Sequence, residues 1–481
     1  MDLKFLLDKA IKLHVQGKLD KAEIIYDKII KFDANNLIAN ANLGSLNNSK
    51  KKYSKALRFL DHVLKMKPDF IDALNNKGNS LKGLNQYQEA LTLYNKALEI
   101  NHNFVDALNN KANCLRYLEK FEEALIFYEK VLKIKPNFVE AVYNKGICFY
   151  LLNQLNDAIN CYQKTIELNP NFIEGYYNLG LLQLTQGNYK DGWKNYEWRQ
   201  NRSNQKKEYP YINRFTNWTG KEDINNKTIF ISKEQGLGDY IHYCRYLPMV
   251  QKLGARIFLD TPKPLIPLIN TMKIDYNHID NLKDLKFDYH CPIVSLPYLF
   301  NTSQNNIPNQ IPYLFTPQVK KEYWKKKLEK NKKKMIGIKW CGIATHKNDK
   351  NRSANLEKIK SLFDLPYEFH SLDFELKEED KRILKEIPNL KFHGKDLLGL
   401  DSTAGLIEQL DLIISVDTSM AHLSASIGKK VWIILPHIPD YRWLLNCEDS
   451  PWYPNVKLYR QSKKDDWVKI INIIKKDIAK T

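Results

Sequence analysis

Three short stretches concentrate the side chains fit for acid, base or anion chemistry. Glu234–Pro248, EQGLGDYIHYCRYLP, follows the β-branched run Thr228–Ser232 and leads into a helical pattern, which puts Gly236 and Gly238 at a strand-to-helix turn. Glycines at such a turn usually clear space for an anion at the helix N-terminus; this turn instead carries an acid, Asp239. A carboxylate there suits proton abstraction from an incoming hydroxyl and equally suits a cap on its own helix, and the two roles are compatible. Ser415–Lys429, SVDTSMAHLSASIGK, directly follows a buried apolar run. Thr418 or Ser419 can cap the next helix, whose free N–H groups and dipole favour an anion. His422 lies one turn further on, where helix packing is the alternative to ligand contact. Cys341–Ser353, CGIATHKNDKNRS, crowds His346, Lys347, Lys350 and Arg352 into one loop after the run Met335–Trp340.

Other chemistries match poorly. Asp417, Ser419 and His422 are close in sequence, but successive positions on one helix cannot converge as a triad, and no Gly-x-Ser-x-Gly elbow is present. EQGLGD lacks the Lys-Ser/Thr of a Walker loop and the third glycine of a dinucleotide fingerprint. The seven cysteines contain no Cys-x-x-Cys pair, so neither a disulfide framework nor a zinc site is indicated, and a reducing cytoplasm is the expected location. The formal charge of +19 comes mostly from lysines interleaved with Glu and Asp on helix faces, and no nucleic-acid partner is expected. The densest basic cluster, Lys320–Lys334, reads either as a solvated helix or as a patch for an acidic substrate or lipid, the basis for a peripheral membrane contact. No apolar run approaches the roughly 20 residues that span a bilayer, and the first residues read as an amphipathic helix rather than a signal peptide.

The three stretches need strands behind them. After Asn226, short β-branched runs alternate with helical stretches, the mark of parallel sheets built from βαβ units. Strands are expected at Thr228–Ser232, Arg256–Asp260 and about Asp288–Val294, then at Met335–Trp340, Tyr367–Ser371, Leu390–His393, Leu412–Val416 and Val431–Leu435. The pattern restarts near Pro317, giving one α/β half over 227–317 and a second, ending in a helix, over 318–481. Two doubly wound halves that face each other bring both sets of strand ends to one cleft.

Ahead of them, Ala22, Ala56, Ala90, Ala124 and Ala158 recur at a spacing of 34, as do Ala10, Gly44, Gly78, Ala112, Gly146 and Gly180. Two small-residue series in one register predict antiparallel helix pairs over 1–200, with 201–226 as a connector. Asn42, Asn76, Asn110, Asn144 and Asn178 keep the same spacing and serve either an extended peptide backbone or the neighbouring repeat. The aromatic close of the sixth unit, with Trp193, Tyr196 and Trp198, predicts docking onto the next domain. The fold class is therefore α plus α/β: an α-solenoid followed by two Rossmann-type domains.

The repeat pattern resembles the tetratricopeptide repeat. Together with EQGLGDYIHYCRYLP, IKWCGIATHKNDKNRS, LDLIISVDTSMAHLSASIGKKVWIILP and YRWLLNCEDSPWYPNVKLYRQ, it resembles bacterial tetratricopeptide-repeat glycosyltransferases with a heptosyltransferase-like catalytic region, glycosyltransferase family nine, of GT-B fold. The resemblance implies a nucleotide-diphosphate sugar as donor substrate, transfer with inversion, and no metal or other cofactor. It assigns Asp239 as general base, Asp417, Thr418, Ser419 and His422 to the donor site, and Lys347 and Arg352 to the donor phosphates. It departs from the family in the shortness of the first α/β half, so part of the site for a protein or glycan acceptor is expected either to be missing or to be supplied by the repeats. Two alternatives stand beside this reading: an enzyme resembling the protein O-linked N-acetylglucosamine transferases, acting on Ser or Thr, and a repeat scaffold whose α/β part is inactive.

Overall fold

Helix pairs fill the N-terminal region of the computed structural model, which describes residues 2–203, 208–209, 214–279, 285–328, 333–342 and 349–480. The pairs are α1/α2 (Leu3–Val15, Leu19–Phe32), α3/α4 (Leu37–Ser49, Tyr53–Met66), α5/α6 (Ile71–Gly83, Tyr87–Ile100), α7/α8 (Val105–Tyr117, Phe121–Ile134), α9/α10 (Val139–Leu151, Leu155–Leu168) and α11/α12 (Ile173–Thr185, Tyr189–Tyr196). The chain separates into two compact units, Met1–Gly175 and Tyr176–Thr481.

Within the first unit the small residues act as the spacing predicts. All five alanines of the Ala22 series are fully buried. A methyl group at Gly78 would lie 2.5 Å from the Tyr94 ring, so glycine lets α5 and α6 meet with a tyrosine between them. The turn inside each pair holds one residue at positive φ, namely Gly17, Lys51, Asn85, Glu119 and Asn153, which ends the first helix in the left-handed conformation. First helices touch first helices, α3 with α5, α5 with α7 and α7 with α9, whereas successive second helices make no comparable contact. The first helices therefore line the narrower, concave side. One of the recurring asparagines ties repeats together: Asn110 Nδ2 donates to Asn75 Oδ1 at 3.1 Å, and its own Oδ1 accepts from Lys82 Nζ at 2.7 Å.

The second unit contains two sheets. The first has the order β3-β2-β1-β4, from β1 (Thr228–Ser232), β2 (Arg256–Leu259), β3 (Tyr276–His278) and β4 (Tyr289–Pro292), all parallel. The second comprises β5 (Met335–Lys339), β6 (Glu368–Ser371), β7 (Leu390–Lys391), β8 (Leu412–Val416), β9 (Val431–Leu435), β10 (Asp449–Ser450) and β11 (Tyr453–Arg460), in the order β10-β11-β9-β8-β5-β6-β7. Only β10 runs antiparallel. From β5 the chain steps outward to β6 and β7, returns to β8 beside β5, and continues to β9 and β11. Direction thus reverses between β5 and β8, the switch point outside which ligands of such sheets bind. Both β8 and β9 are buried at every position, as continuous apolar runs require. Strands β3, β10 and β11 are additional to the strands expected from the sequence.

Two helices open at strand ends that bear on the site: α13 (Leu237–Tyr243), after β1, and α16 (Ser419–Ser426), after β8. Between them, α14 (Gln318–Lys327) packs on α15 (Leu400–Gln409). The aromatic close of the repeats docks as expected: Trp193 is buried with edge contacts to Tyr441 at 5.9 Å and Trp452 at 6.3 Å. Trp198 instead stacks on Tyr176, centroids 4.1 Å apart. Among the described residues no helix is long and apolar enough to cross a membrane.

Candidate functional site

The first turns of α13 and α16 meet. A methyl group at Gly238 would lie 3.2 Å from His422 Cδ2 and 3.3 Å from Ser419 Cα, so this glycine serves helix contact rather than space for a ligand. Gly236 is exposed, with an extended backbone (φ −88°, ψ 175°) that any residue adopts. A methyl group at Gly236 would meet only Asp239 Oδ2, at 3.2 Å, so of the two glycines Gly238 is the one closed by helix contact.

Asp239 is the third residue of α13, not its N-cap. Its Oδ2 accepts from Gly236 N at 2.8 Å, and its Oδ1 pairs with Arg442 Nη2. Arg442 sits in the turn Tyr441–Trp443 that follows β9, is buried, and holds Asp440 Oδ1 through Nη1 at 2.8 Å. The carboxylate of the first lobe is therefore not solitary; it is bound by a cation from the second. Sequence reasoning missed both Arg442 and Asp440. The available signal was an acid and a cation in a proline-flanked loop, PHIPDYRW, directly after a buried strand.

At the switch point, Arg352 and Asp417 come together. Arg352 Nη1 donates to the Asp417 carbonyl at 2.9 Å, joining the loops that follow β5 and β8. Burial and the neighbouring Asp440 charge push the Asp417 carboxyl up to about 6, against the pull of Arg352. Thr418 is the N-cap of α16 by backbone conformation, but its hydroxyl lies 3.3 Å from Ser415 Oγ and makes no capping bond. The opening N–H groups of α16 consequently have no side-chain cap, and Ser419 beside them is half-buried. Uncapped amides at a helix start next to a guanidinium suit an anion.

His422 is brought to the site as a packed, neutral ring. Its Nδ1 lies 3.0 Å from Tyr453 Oη, its ring stacks on Trp443, and its Nε2 is 4.0 Å from Asp417 Oδ1, too far for a hydrogen bond. Burial first, then Arg442, Arg245 and Arg352, hold its pKa well below the usual imidazole range. Lys347 lies outside the described residues, as do His346 and the side chain of Lys350. Among the described residues no cluster of three His, Cys, Asp or Glu side chains is arranged to hold a metal ion.

The equivalent crevice of the first sheet, between β1 and β4, is filled. Arg199, in the turn Glu197–Asn201 after α12, makes a two-pronged ion pair with Glu234 (Nε to Oε1 2.9 Å, Nη2 to Oε2 2.8 Å) and donates to Ser295 Oγ at 2.7 Å. Both partners of the pair are buried. At the switch point of the second sheet, by contrast, Arg352 and the helix start without a side-chain cap stand together.

Residues 71–104 and 105–138 match the tetratricopeptide repeat model, and residues 148–187 match a second TPR repeat model. Protein FlbA of Caulobacter vibrioides is 25% identical over 278 residues, which cover 52% of this chain and 46% of FlbA; the chain thus spans about half the length of the curated relative it matches. Among solved structures, the type IV pilus biogenesis factor PilW is 21% identical, covering 44% of this chain and 95% of its own, with a TM-score of 0.39. YrrB, a TPR protein with an unusual peptide-binding site, is 24% identical, covering 36% and 89%, with a TM-score of 0.30.

Proposed function

We propose that this tetratricopeptide-repeat protein is a cytoplasmic glycosyltransferase whose two α/β lobes act as a GT-B-like pair. It moves a sugar from a nucleotide-diphosphate donor to an acceptor hydroxyl with inversion and without a metal, and its repeats select the acceptor. The observation that carries this reading is the pairing of Arg352 with the uncapped start of α16 at the β5/β8 switch point. Those groups suit the diphosphate, whose departure needs charge stabilisation. The acceptor oxygen attacks the anomeric carbon from the face opposite the diphosphate. As that bond forms, the carbon–oxygen bond to the diphosphate breaks and its electron pair leaves with the phosphate, while the hydroxyl proton passes to Asp239.

Arg442 adds a step to this scheme. In the unliganded protein it is shared between Asp239 and Asp440. A diphosphate carries more charge than either carboxylate and draws the guanidinium towards itself, which releases Asp239 Oδ1 to accept a proton. Donor binding thereby arms the base.

The test is release of nucleoside diphosphate from a panel of nucleotide sugars with chelator present, followed by transfer assays with protein and glycan acceptors. A Ser- or Thr-bearing polypeptide as the sole acceptor would move the assignment to the O-linked N-acetylglucosamine transferase type. A second reading, a repeat scaffold, is favoured by the closed contact of Gly238 with Ser419 and by the engaged Asp239. It prevails if calorimetry detects no binding of any nucleotide.

A further inference from the structure

Strands β9 and β11 begin beside a cavity of about 480 Å³. Because β8, β9 and β11 run parallel, their starts lie at the opposite edge of the second sheet from the loops that carry Asp417 and Arg442. The pairing register sets Trp432 beside Lys457. Alternation along a strand puts Lys430, two residues before Trp432, and Tyr459, two after Lys457, on that same face. The C-terminal helix α17 (Trp467–Ile478) covers it, with Trp432, Tyr459, Ile474 and Ile478 in one buried cluster. Asp477 and Lys480, at the end of α17, close the cavity.

Three ammonium groups meet a single carboxylate there. Lys457 Nζ donates to Asp477 Oδ2 at 2.7 Å, and Lys480 Nζ lies 3.6 Å from Asp477 Oδ1. Tyr459 Oη donates to the same Oδ2 at 2.9 Å. The bonds from Lys457 and Tyr459 hold the Asp477 carboxyl below the usual carboxylate range, so it stays ionised and its charge is already shared. Lys430 forms no ion pair among the described residues; its Nζ stands 5.6 Å from the centre of the Trp432 ring, and Lys457 Nζ stands 5.8 Å from the same centre. Three cations and one anion leave two positive charges around the cavity. Asn455, also in its lining, adds an acceptor. Its Nδ2 donates to the carbonyls of Ala425, at 3.1 Å, and Lys429, which uses both N–H groups and fixes the amide. Asn455 Oδ1 is left buried with no hydrogen bond among the described residues. Such an atom is costly without a donor.

We propose that this cavity binds a phosphate monoester that carries hydroxyl groups. A monoester bears roughly −1.5 to −2 charge at neutral pH, which matches the excess of two lysines, and ammonium groups hold phosphate as point charges. A hydroxyl of the same ligand donates to Asn455 Oδ1, which an inorganic anion without a hydrogen to give does not. The volume lies within the range of small-molecule sites, about 300 to 1,000 Å³. The site stands independently of sugar transfer, so it survives failure of that reading and can fail without it.

The test is calorimetric titration of the full chain at low salt with ribose 5-phosphate, ethyl phosphate and ribose. Ribose 5-phosphate should bind, ethyl phosphate should bind about tenfold more weakly because it has no hydroxyl for Asn455 Oδ1, and ribose should give no measurable heat. Added salt should weaken the binding. Lys430 is exposed, so its variants keep the fold: Lys430→Gln should lower the affinity for ribose 5-phosphate about tenfold, and Lys430→Arg should keep it. Asp477→Asn frees two lysines and should raise that affinity severalfold; if this variant does not fold, the Lys430 pair decides. Arg352→Gln should leave the affinity unchanged, which separates the cavity from the switch point. No binding of ribose 5-phosphate, equal binding of ethyl phosphate, an affinity unaltered in Lys430→Gln, or an affinity lost in Arg352→Gln would each overturn the proposal.

Discussion

Arg442 donates to Asp239 across 203 residues of chain, joining the loop after β9 to the first turn of α13, while the same guanidinium holds Asp440. The second sheet thus fixes the position of the carboxylate that the first sheet presents. In the proposed transferase this couples donor affinity to basicity, because one cation serves both.

Replacing Asp239 by Asn removes the proton acceptor and also frees Arg442 from one of its two carboxylates. Transfer should fall by about 10² to 10⁴, whereas nucleotide-sugar binding should strengthen severalfold. Arg442→Gln should weaken donor binding while leaving Asp239 without its cation. Calorimetric donor titrations beside initial rates separate the two variants. If Asp239→Asn loses donor affinity together with rate, the carboxylate belongs to the donor site and affinity and basicity are not coupled through Arg442.

Gly238 tests the junction by sterics alone. Alanine ordinarily improves a helix by about 1 kcal/mol over glycine. At this position its methyl group would press on the Ser419 backbone at 3.3 Å and the His422 ring at 3.2 Å, neither of which is a flexible side-chain end. Overpacking costs about 1 to 3 kcal/mol. Gly238→Ala should therefore lower the melting temperature, and a rise of several degrees would mean that α13 and α16 do not abut.

The positions of Asp417, Arg352 and the strands behind them were legible because each follows a continuous buried apolar run whose direction is fixed by its βαβ unit. Arg442 was not, because it lies in a short turn without periodicity, and its partner is distant in sequence. Strand β3 has three residues, none fully buried, and offers no pattern to read, whereas β11 carries the alternation Val456-Lys457-Leu458 behind a Tyr-Pro-Asn opening that masks it. The repeats were legible in full register because the small-residue positions are set by helix contact. The partners that Asn110 takes were not, since those hydrogen bonds run between repeats.

The buried pair Arg199–Glu234 predicts a non-additive stability pattern. Removing one member strands the other charge, at a cost of about 3 to 5 kcal/mol. Arg199→Met should unfold at markedly lower denaturant concentration, and adding Glu234→Leu should recover most of the loss, since Glu197 keeps Ser295 and Gln200 as partners. A double variant as unstable as the sum of the singles would show that the filled crevice of the first sheet is held by something other than this pair.

Asp417 gives the pH dependence. Its carboxyl titrates near 6 in the folded chain against 3.8 for the free group, so the folded state binds the proton more tightly than the unfolded state between those values. Stability therefore falls as pH rises through that window, and the penalty is complete above it, at about 3 kcal/mol. Asparagine carries no such penalty. The stability advantage of Asp417→Asn over the parent should be smallest near pH 4, grow up to about pH 6, and level off by pH 7, as read from urea midpoints at each pH. Donor binding should follow the same course from the other side, since protonating Asp417 removes a negative charge beside the diphosphate, so the parent should bind donor more tightly at pH 5.5 than at pH 7.5 while the variant shows little change. A stability difference between the two proteins that is flat across this range would mean that Asp417 is ionised throughout and that Arg352 and Arg442 outweigh both its burial and Asp440.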